Sequence, residues 1–585
     1  MKIFIKKHKI ILSLSLLCIV AATITFVTLR LIPNDIDQTI KVPEKGEFDK
    51  DSIKDIPELY MKDDLYKVYE IYVTAYTGTD EKSGKNFDID SMNDIHRFDY
   101  DPILQASSYV LDPSTGNIVG GDKKEGFNST ISLRGQSARN SDQKSYKVKL
   151  SDYASSFSGQ RVLNLNKHAA DYSTRMAQKL CFDSMKDISG MISLRTYFFT
   201  VYIKNGSVDG SEYVNYGLFT CTEQPNKSFL RAHGLDPNGS LYKPQDFEFF
   251  EDECIVPTTD ANFKPEDFKA LLKIRENPDN DKLAKMLSEL NAENGDFNAV
   301  FEKYFDEENY LTWCAINILF NNYDTMSRNF LLYSPSSSDK WYFLPWDYDA
   351  SLIVEDKWKK NIYNAFFGIG RYWGTPLHKK YFLDPENVEK LTKKIDDVYK
   401  QLMQKPWSEI GKNYYDIALK KIFSSVDKEY FLSHQTIDGF IYDVNSFDKT
   451  ITYYYNLFYQ SLEKPMPIFL GKPTQNDDGT IQFNWSPSYD LQSDRIFYDF
   501  AVYTNIDDRE NTAVFSDHLS VAKKNLSIDL LPDGIYYWDA NPVDSKGNTQ
   551  SGFDRLRIKE FETEKYSYFG IKRFKMVNGK IEFFE

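Results

Sequence analysis

The sequence predicts an α+β protein with two lobes, followed by a small β-sandwich and preceded by a transmembrane helix. Strand patterns rich in β-branched and aromatic residues predominate up to about residue 224. Amphipathic helical patterns predominate from Pro265 to about residue 460, and short alternating strands return after Pro465. We therefore expect the chain to divide into segments 1–32, 33–62, 63–464, 465–562 and 563–585.

Length and charge narrow the possible classes of protein. A chain of 585 residues is longer than one hydrophobic core supports, so about two to four domains are expected. The net charge of −15 argues against a nucleic-acid partner, because nucleic-acid affinity depends on neutralising phosphates. The cysteines show no C-x-x-C spacing and the histidines no H-E-x-x-H spacing, which argues against a zinc site.

The first 32 residues have the pattern of a signal anchor. A basic start, MKIFIKKHK, precedes a largely apolar run from Ile10 to Leu31, long enough to cross about 30 Å of hydrocarbon. The positive-inside rule then puts most of the chain outside the cytoplasm, as a single-pass protein of the cell membrane. A cleaved secretory signal is the alternative and implies a secreted protein. Residues 33–62 are polar and are predicted to form a linker.

A basic hairpin is predicted in the β lobe at residues 131–150. In its second strand, SYKVKL, Lys147 and Lys149 alternate with apolar residues, so we expect the lysines to face away from the core. The Gly-containing segment before that strand carries Arg134 and Arg139. Such a hairpin can cover the phosphates of a bound molecule. The alternative is a solvated edge hairpin whose lysines discourage aggregation.

The remaining elements of the two lobes follow in order. A strand at 66–76 opens the β lobe, and the strands TYFFTVYIKN and YVNYGLFTCTEQ close it. The last strand ends at Glu223, where the chain is expected to enter the helical lobe, so Glu223 is a candidate cofactor contact; a merely exposed strand end is the alternative. Helices are predicted for ADYSTRMAQKLCF, DFKALLKIRE, DKLAKMLSEL, NYLTWCAINILFNN, VEKLTKKIDDVYKQLM and the stretch around Tyr453.

The most informative stretch is NYDTMSRNFLLYSPSSSDKWYFLPWDYDASL, which places Asp324, Asn329, Asp347 and Asp349 in an apolar frame. A buried charge without a partner is costly, so such groups usually face a metal, a cation or a wet cleft. Carboxylate and amide oxygens suit Mg²⁺. The spacing D-x-x-x-x-N, followed by a hairpin and a second Asp, has the layout of a protein-kinase catalytic loop and its metal-binding Asp. The alternative is that these aspartates only cap a turn.

The C-terminal part has the pattern of a sandwich of about a hundred residues at 465–562. TIQFNWSPS, IFYDFAVYT, LSIDLL and GIYYWDANPVDSKGN are short alternating strands separated by turn residues. LPDGIYYW resembles the tyrosine-corner region of fibronectin type III domains, with Tyr536 as the corner and Trp485 in the core. Residues 563–585 are predicted to be a C-terminal tail.

Several blocks in the first two lobes resemble one known family. RGQSARNSDQKSYKVKL, GLFTCTEQPNKSFL, LYKP, NYDTMSRNFLLY and KWYFLPWDYDASL together are similar to the signature blocks of the CotH kinase family, known from bacterial spore-coat proteins. The similarity spans roughly residues 66–460 in the family's order. It implies an atypical two-lobed protein-kinase-like domain at 63–464 that uses ATP and Mg²⁺ or Mn²⁺ to phosphorylate Ser/Thr of a Ser-rich surface or spore-coat protein.

The resemblance also assigns roles to residues. Asp324 corresponds to the catalytic Asp, and Asn329 and Asp347 to the metal ligands, with Asp349 a further acid that ligates or orients. The phosphate contacts are then among the basic residues of the hairpin: Arg134, Arg139, Lys147 and Lys149. Lys147 is the expected nucleotide lysine, with Lys144 and Lys149 as alternatives, and no helix-borne acid is evident as its partner.

Two other functions remain open from the sequence. A cell-surface binding or structural protein could use a catalytically inactive kinase-like domain as a scaffold, with the sandwich as the binding module. A metal-dependent phosphohydrolase would use the same ligands with water as the acceptor. Membrane association through the N-terminal helix is expected in each case, with a secreted or spore-surface protein as the alternative.

Overall fold

The computed structural model describes residues 53–61, 63–79, 84–97, 100–123, 126–135, 137–168, 173–352, 366–434, 446–560 and 563–584. The predicted signal anchor at 1–32 and most of the predicted linker at 33–62 lie outside these residues. Among the residues described, no helix is both long and apolar enough to cross a membrane.

The β lobe is a sheet that closes on itself. Its strands and helices are β1 (Val68–Ala75), β2 (Gly78–Thr79), β3 (Asn86–Phe87), α1 (Ile89–Asn93), β4 (Ile103–Asp112), β5 (Asn117–Gly121), β6 (Ser129–Arg134), β7 (Ser145–Leu150), β8 (Val162–Asn166), α2 (Ser173–Met185), β9 (Thr196–Asn205) and β10 (Val214–Thr222). The main sheet has the order β1-β9-β10-β8-β7-β6-β4-β5, and β4 pairs back with β1 to complete a barrel.

The barrel confirms the predicted alternation in the basic hairpin. Tyr146, Val148 and Leu150 on β7 are buried in the barrel core, whereas Lys147 and Lys149 are exposed on its outer face. Strand side chains alternate between the two faces of a sheet, so burying the apolar set forces the lysines outward.

The helical lobe combines helices with a second, four-stranded sheet of order β12-β11-β13-β14. Its elements are α3 (Lys227–Ala232), β11 (Ser240–Pro244), α4 (Pro265–Leu271), β12 (Leu272–Glu276), α5 (Asn280–Asn291), α6 (Phe297–Tyr304), α7 (Glu307–Leu319), β13 (Phe330–Ser334), β14 (Tyr342–Pro345), α8 (Ile369–Tyr372), α9 (Pro376–Phe382), α10 (Pro385–Leu402), α11 (Trp407–Phe423), α12 (Asp427–His434) and α13 (Phe447–Leu462).

Helix α7 lies at the centre of this lobe. Asp306 caps its N-terminus by accepting a hydrogen bond of 2.7 Å from the backbone N–H of Asn309. The residues from Asn309 to Leu319 are all buried, as expected of a helix that is packed on every side. The end of α7 leads directly into the loop that carries Asp324.

One predicted helix ends earlier than expected. The segment DFKALLKIRE is helical only as far as Leu271, and Leu272–Glu276 form strand β12. β12 pairs antiparallel with β11, and Lys273 lies opposite Lys243. This prediction was wrong because a distant strand partner overrides the local helical pattern.

The predicted linker also ends earlier than expected. Within 53–61, Ile53 and Leu59 are buried, and Asp55 Oδ1 lies 2.7 Å from His233 Nδ1. The folded domain therefore begins at or before residue 53 and not at 63. The polar composition concealed this, because only two buried apolar side chains and one partly buried acid attach the segment.

The C-terminal module consists of two facing sheets and a hairpin. Its strands are β15 (Thr474–Gln475), β16 (Thr480–Asn484), β17 (Ile496–Tyr503), β18 (Ala513–Leu519), β19 (Lys523–Ser527), β20 (Gly534–Asp544), β21 (Arg555–Glu560), β22 (Thr563–Phe569), β23 (Lys572–Val577) and β24 (Lys580–Glu582). The sheets have the orders β15-β16-β19 and β18-β17-β20-β23-β24.

The module keeps two predicted features and extends one boundary. Trp485 is buried in its core, and Tyr536 Oη donates 2.7 Å to the carbonyl oxygen of Pro532. The fibronectin type III assignment stays a prediction. The expected C-terminal tail at 563–585 is corrected, since Phe574 and Met576 on β23 enter the same core. The basic residues that alternate with them made this strand resemble a solvated tail.

Candidate active site

Asn329 and Asp347 lie at the same end of the β13–β14 hairpin. The antiparallel register pairs Phe330 with Pro345, so the residue before β13 and the residues after β14 are neighbours. Both site residues have positive φ, 59° for Asn329 and 61° for Asp347. Asn and Asp tolerate this left-handed conformation better than other non-glycine residues. The local backbone thus favours the residue types that carry the predicted chemistry.

Asp324 approaches this end from the loop after α7. Asn329 Nδ2 donates to Asp324 Oδ2 at 2.8 Å and orients its carboxylate. Burial and the charge of Asp349 raise the pKa of Asp324 above its ordinary value, while Arg328 and Lys243 act in the opposite direction. A carboxylate with a raised pKa is a stronger base when it is ionised.

Asp347 and Asp349 form an acidic pair near Asp324. Burial and the charge of Asp349 raise the pKa of Asp347 to about 6, against the effect of Lys243 and Arg134. Burial also acts to raise the pKa of Asp349, but the ring of His168 and the charge of Arg134 hold it below its ordinary value. Two neighbouring carboxylates of this kind are stabilised by a shared cation.

Two side chains from the β lobe hold this pair in position. Gln178 on α2 donates through Nε2 to Asp347 Oδ1 at 3.3 Å, and its Oε1 is 3.0 Å from His168 Nε2. His168 Nδ1 lies 3.6 Å from Asp349 Oδ2. A continuous polar chain therefore links α2 to both acids.

Cations from both sheets converge on the acids. Arg134 ends β6 of the barrel, and Lys243 lies on β11 with Nζ 5.3 Å from the ring centroid of Trp346. Burial lowers the pKa of Lys243 to about 8, against the effect of Asp347 and with the repulsion of Arg275 and Arg134. Burial lowers the pKa of Arg134 too, against the charges of Asp347 and Asp349.

A second set of cations lies around Arg275 on β12. Burial and the charge of Arg134 lower the pKa of Arg275, and no hydrogen-bond acceptor for its Nε is found in the described part of the chain. Burial and then the charge of Arg275 lower the pKa values of Lys147 and Lys273 as well. Like charges that depress one another in this way form a site that an anion would stabilise.

Comparison with known proteins places this region of the chain in one family. A family model described as CotH kinase protein matches residues 131–456, which is more than half of the chain. The chain belongs to the CotH kinase protein family. The match includes every site residue predicted from the sequence, from Arg134 on β6 to Asp349 after β14.

One curated relative is similar to part of this chain. The protein named "Inner spore coat protein H" from Bacillus subtilis (strain 168) is 26% identical over 225 residues. The aligned region covers 38% of this chain and 58% of the relative. The chain thus spans somewhat more than half the length of that relative.

Two basic residues predicted to contact the nucleotide, Arg139 and Lys144, instead form hydrogen bonds within the CotH-family domain. Arg139 is buried; its Nε donates to the carbonyl of Gly135 at 3.0 Å, its Nη1 to the carbonyl of Tyr100 at 2.8 Å, and its Nη2 to Asp101. The Arg139 guanidinium therefore holds the loop together. Lys144, weighed as an alternative nucleotide lysine, is likewise buried and donates to the carbonyls of Ile95 and Arg139 at 3.0 and 2.7 Å.

Glu223 also has internal partners in place of the expected cofactor contact. Its carboxylate accepts from Arg195 Nε at 3.0 Å and lies 3.0 Å from His233 Nε2. Burial acts to raise the pKa of Glu223, but Arg195 and His233 hold it well below its ordinary value. Glu223 is 1% exposed, so the prediction of a cofactor contact is replaced by a buried ionic network.

Sequence reasoning missed Lys243, Arg275, Gln178 and His168. Lys243 lies in the fragment LYKP, which carried part of the family resemblance, and was the one of the four with a recognisable signal. Arg275 was hidden because its strand was predicted as helix. Gln178 and His168 had no signal, since their partners Asp347 and Asp349 are distant in sequence.

Proposed function

We propose that this CotH-family chain is a metal- and ATP-dependent phosphotransferase that phosphorylates Ser or Thr of a protein acceptor. Family membership supports a kinase-like protein. The observation that carries the finer proposal is a group of acidic residues bordered by cations from both sheets. The acidic residues are Asp324, Asp347 and Asp349, and the cations are Arg134, Lys243 and Arg275.

The donor set fits a hard divalent cation. Asp347, Asp349 and the amide oxygen of Asn329 offer oxygen ligands at one end of one hairpin. Burial and then the repulsion of Asp349 raise the pKa of Asp347, and a positive ion would offset both. A bound Mg²⁺ or Mn²⁺ would neutralise charge on the phosphates that it contacts.

The protein's own residues would carry out the remaining work. Asp324, oriented by Asn329, would accept the proton of the acceptor hydroxyl as its oxygen bonds to the γ-phosphorus. The bond from that phosphorus to the bridging oxygen breaks, and ADP leaves with the bonding electrons. Arg134 and Lys243 would balance the negative charge of the phosphates in a partly buried site, where charges interact more strongly than in water.

The location is inferred from the curated relative, which is named as a spore-coat protein. We infer a spore-surface location and a Ser-rich acceptor protein for this chain. This inference replaces the location in the cell membrane that was predicted from the N-terminal segment.

A transfer assay tests the proposal. The purified chain is incubated with γ-labelled ATP, Mg²⁺ and a Ser-rich acceptor, and labelled protein and free phosphate are measured together. We expect labelled protein in excess of free phosphate. Asp339→Asn is the matched control, because Asp339 is exposed in the turn at the far end of the same hairpin. Free phosphate alone would indicate a phosphohydrolase, and nucleotide binding without transfer would indicate a scaffold.

A further inference from the structure

The C-terminal module contains a second acidic site, far along the chain from Asp324, Asp347 and Asp349. Asp490 and Asp494 lie in the loop between β16 and β17, and Asp544 ends β20. Ile496 on β17 pairs with Asp544, which brings the loop against the end of β20. One ligand oxygen from each of the three acids lies within 4.8 Å of the others.

The decisive observation concerns one carboxylate oxygen. Asp490 is 4% exposed, and its Oδ1 accepts hydrogen bonds of 2.9 Å from the backbone N–H groups of Gln492 and Asp494. Its Oδ2 has no hydrogen-bond donor among the residues that the structure describes. Leaving a buried carboxylate oxygen without a partner is costly, so the site needs a positive group at this position.

Backbone N–H groups also orient the carboxylate of Asp544. Its Oδ1 accepts from the backbone N–H groups of Lys546 and Asn548 at 2.8 Å, and its Oδ2 accepts from Asn548 Nδ2 at 2.7 Å. Burial acts to raise the pKa of Asp544, but these hydrogen bonds, first that of the Asn548 side chain, hold it below its ordinary value. Oδ1 thus accepts two hydrogen bonds and Oδ2 only one, so Oδ2 keeps a lone pair for a further ligand.

The positive charge in contact with the cluster comes from a surface lysine. Lys546 Nζ is 2.7 Å from Asp494 Oδ2 and 3.8 Å from Glu463 Oε2 at the end of α13, and half of its side chain is exposed. A solvent-exposed ammonium on a flexible stem gains little from such a pair. A divalent ion could replace it without breaking the fold.

We propose that Asp490, Asp494 and Asp544 bind a calcium ion at this junction. Oxygen ligands supplied by two loops suit Ca²⁺, which accepts variable geometry and completes its shell with water. The site adjoins the helical lobe, because Tyr489 stacks on Trp373 with ring centroids 5.4 Å apart. The ion would fasten the loop that carries this contact.

Calorimetric titration of the purified chain with CaCl₂ tests the proposal, with melting temperature as a second measurement. We expect binding with a dissociation constant below about 1 mM and a higher melting temperature in Ca²⁺. Asp490→Asn should weaken binding at least tenfold, since it keeps the Oδ1 acceptor but removes the charge. Asp478→Asn, an exposed acid in a turn of the same module, should leave binding unchanged.

A second variant keeps the test decisive if Asp490→Asn fails to fold. Lys546→Gln removes the competing ammonium from an exposed position and should tighten Ca²⁺ binding about threefold or more. Absence of calcium binding to the folded wild-type chain would overturn the proposal, as would equal affinity in Asp490→Asn. Unchanged or weaker binding in Lys546→Gln would show that the bound ion does not compete with this lysine for the three acids, and would also overturn the proposal.

Discussion

The active site around Asp324 and Asp347 and the network around Glu223 contain the same kinds of charged residues in opposite arrangements. In the network, Glu223 is satisfied by Arg195 and His233, and His233 also contacts Asp55. In the active site, burial and then the charges of neighbouring cations lower the pKa values of Lys147 and Arg275, and the charges of Asp347 and Asp349 repel each other. One region is electrostatically complete within the chain, whereas the other would gain from an added anion and an added cation.

Incomplete pairing of buried charges therefore indicates function better than the number of charges or their burial does. A buried ion pair that is fully hydrogen-bonded is part of the fold, and removing one partner strands the other. An uncompensated cluster is maintained at a cost to stability, and this is characteristic of binding sites. The comparison predicts that substitutions in the two regions will separate into losses of activity and losses of stability.

The largest effect is expected in the active site, where the two kinds of acid should differ. Asp324→Asn should reduce phosphate transfer by about 10²–10⁴-fold, the usual contribution of a general base, yet keep Mg-ATP binding. Asp347→Ala should lose both, because it removes a metal ligand. Ligand at a hundred times its dissociation constant stabilises a protein by about 2.7 kcal/mol, so thermal shifts with Mg-ATP separate the variants. Equal behaviour of the two would place the chemistry elsewhere.

The next effect is expected in the network and concerns stability. Glu223→Ala should destabilise the domain by about 3–5 kcal/mol, because it leaves Arg195 and His233 buried without their shared partner. Chemical denaturation measures this loss. Glu266→Ala is the control, since its side chain is 83% exposed and its pair with Lys269 should contribute less than about 1 kcal/mol. The Mg-ATP shift should persist in folded Glu223→Ala; its loss would return Glu223 to the nucleotide site.

The network should also respond to pH in one direction. Burial acts to lower the pKa of His233, but Asp55 and Glu223 raise it to about 9 from an ordinary value near 6.5. Because the folded state holds this proton more tightly, the contribution is complete below pH 6.5 and is lost as pH rises through 9. The shift corresponds to about 3 kcal/mol.

Melting temperatures from pH 6 to 9.5 test this, with two histidine variants. His233→Gln should flatten the decline, whereas His96→Gln, at an exposed histidine, should follow the wild-type curve. A wild-type melting temperature that rises over this range would contradict a protonated His233.

Much of the architecture was readable from local patterns. The alternation in SYKVKL predicted which face of β7 is buried, and the apolar helix NYLTWCAINILFNN predicted the central helix before Asp324. The group Asp324, Asn329 and Asp347 could be predicted because the residues are close in sequence and one short hairpin joins them. In each case the information is contained within about 25 residues.

The rest depended on partners distant in sequence. β12 is a strand because it pairs with β11, and nothing in LKIRE itself distinguishes that outcome from a continued helix. Glu223 looked like an exposed strand end until Arg195 and His233 were seen to surround it. For Arg139 the sequence showed a cation in a phosphate-like loop, but not that Asp101 and two carbonyl oxygens occupy its guanidinium.

The smallest effects are expected at two of the cations near the acids, Arg275 and Lys147. Arg275→Met and Lys147→Met should each weaken Mg-ATP binding by about tenfold, equivalent to 1.4 kcal/mol. Neither should lower the melting temperature of the free protein by more than about a degree, because each removes mutual repulsion and Lys147 is exposed.

Arg139→Met supplies the contrast, since it breaks three internal contacts and should destabilise the domain. Lys149→Met controls for removal of an exposed lysine from the same face of β7, and a smaller effect on binding is expected there. If Arg275→Met destabilised the free protein while Mg-ATP binding stayed unchanged, Arg275 would be a structural residue, as Arg195 is in the network, and not a binding residue. Incomplete pairing of charge would then fail to identify a binding residue at Arg275, whose Nε has no acceptor among the described residues.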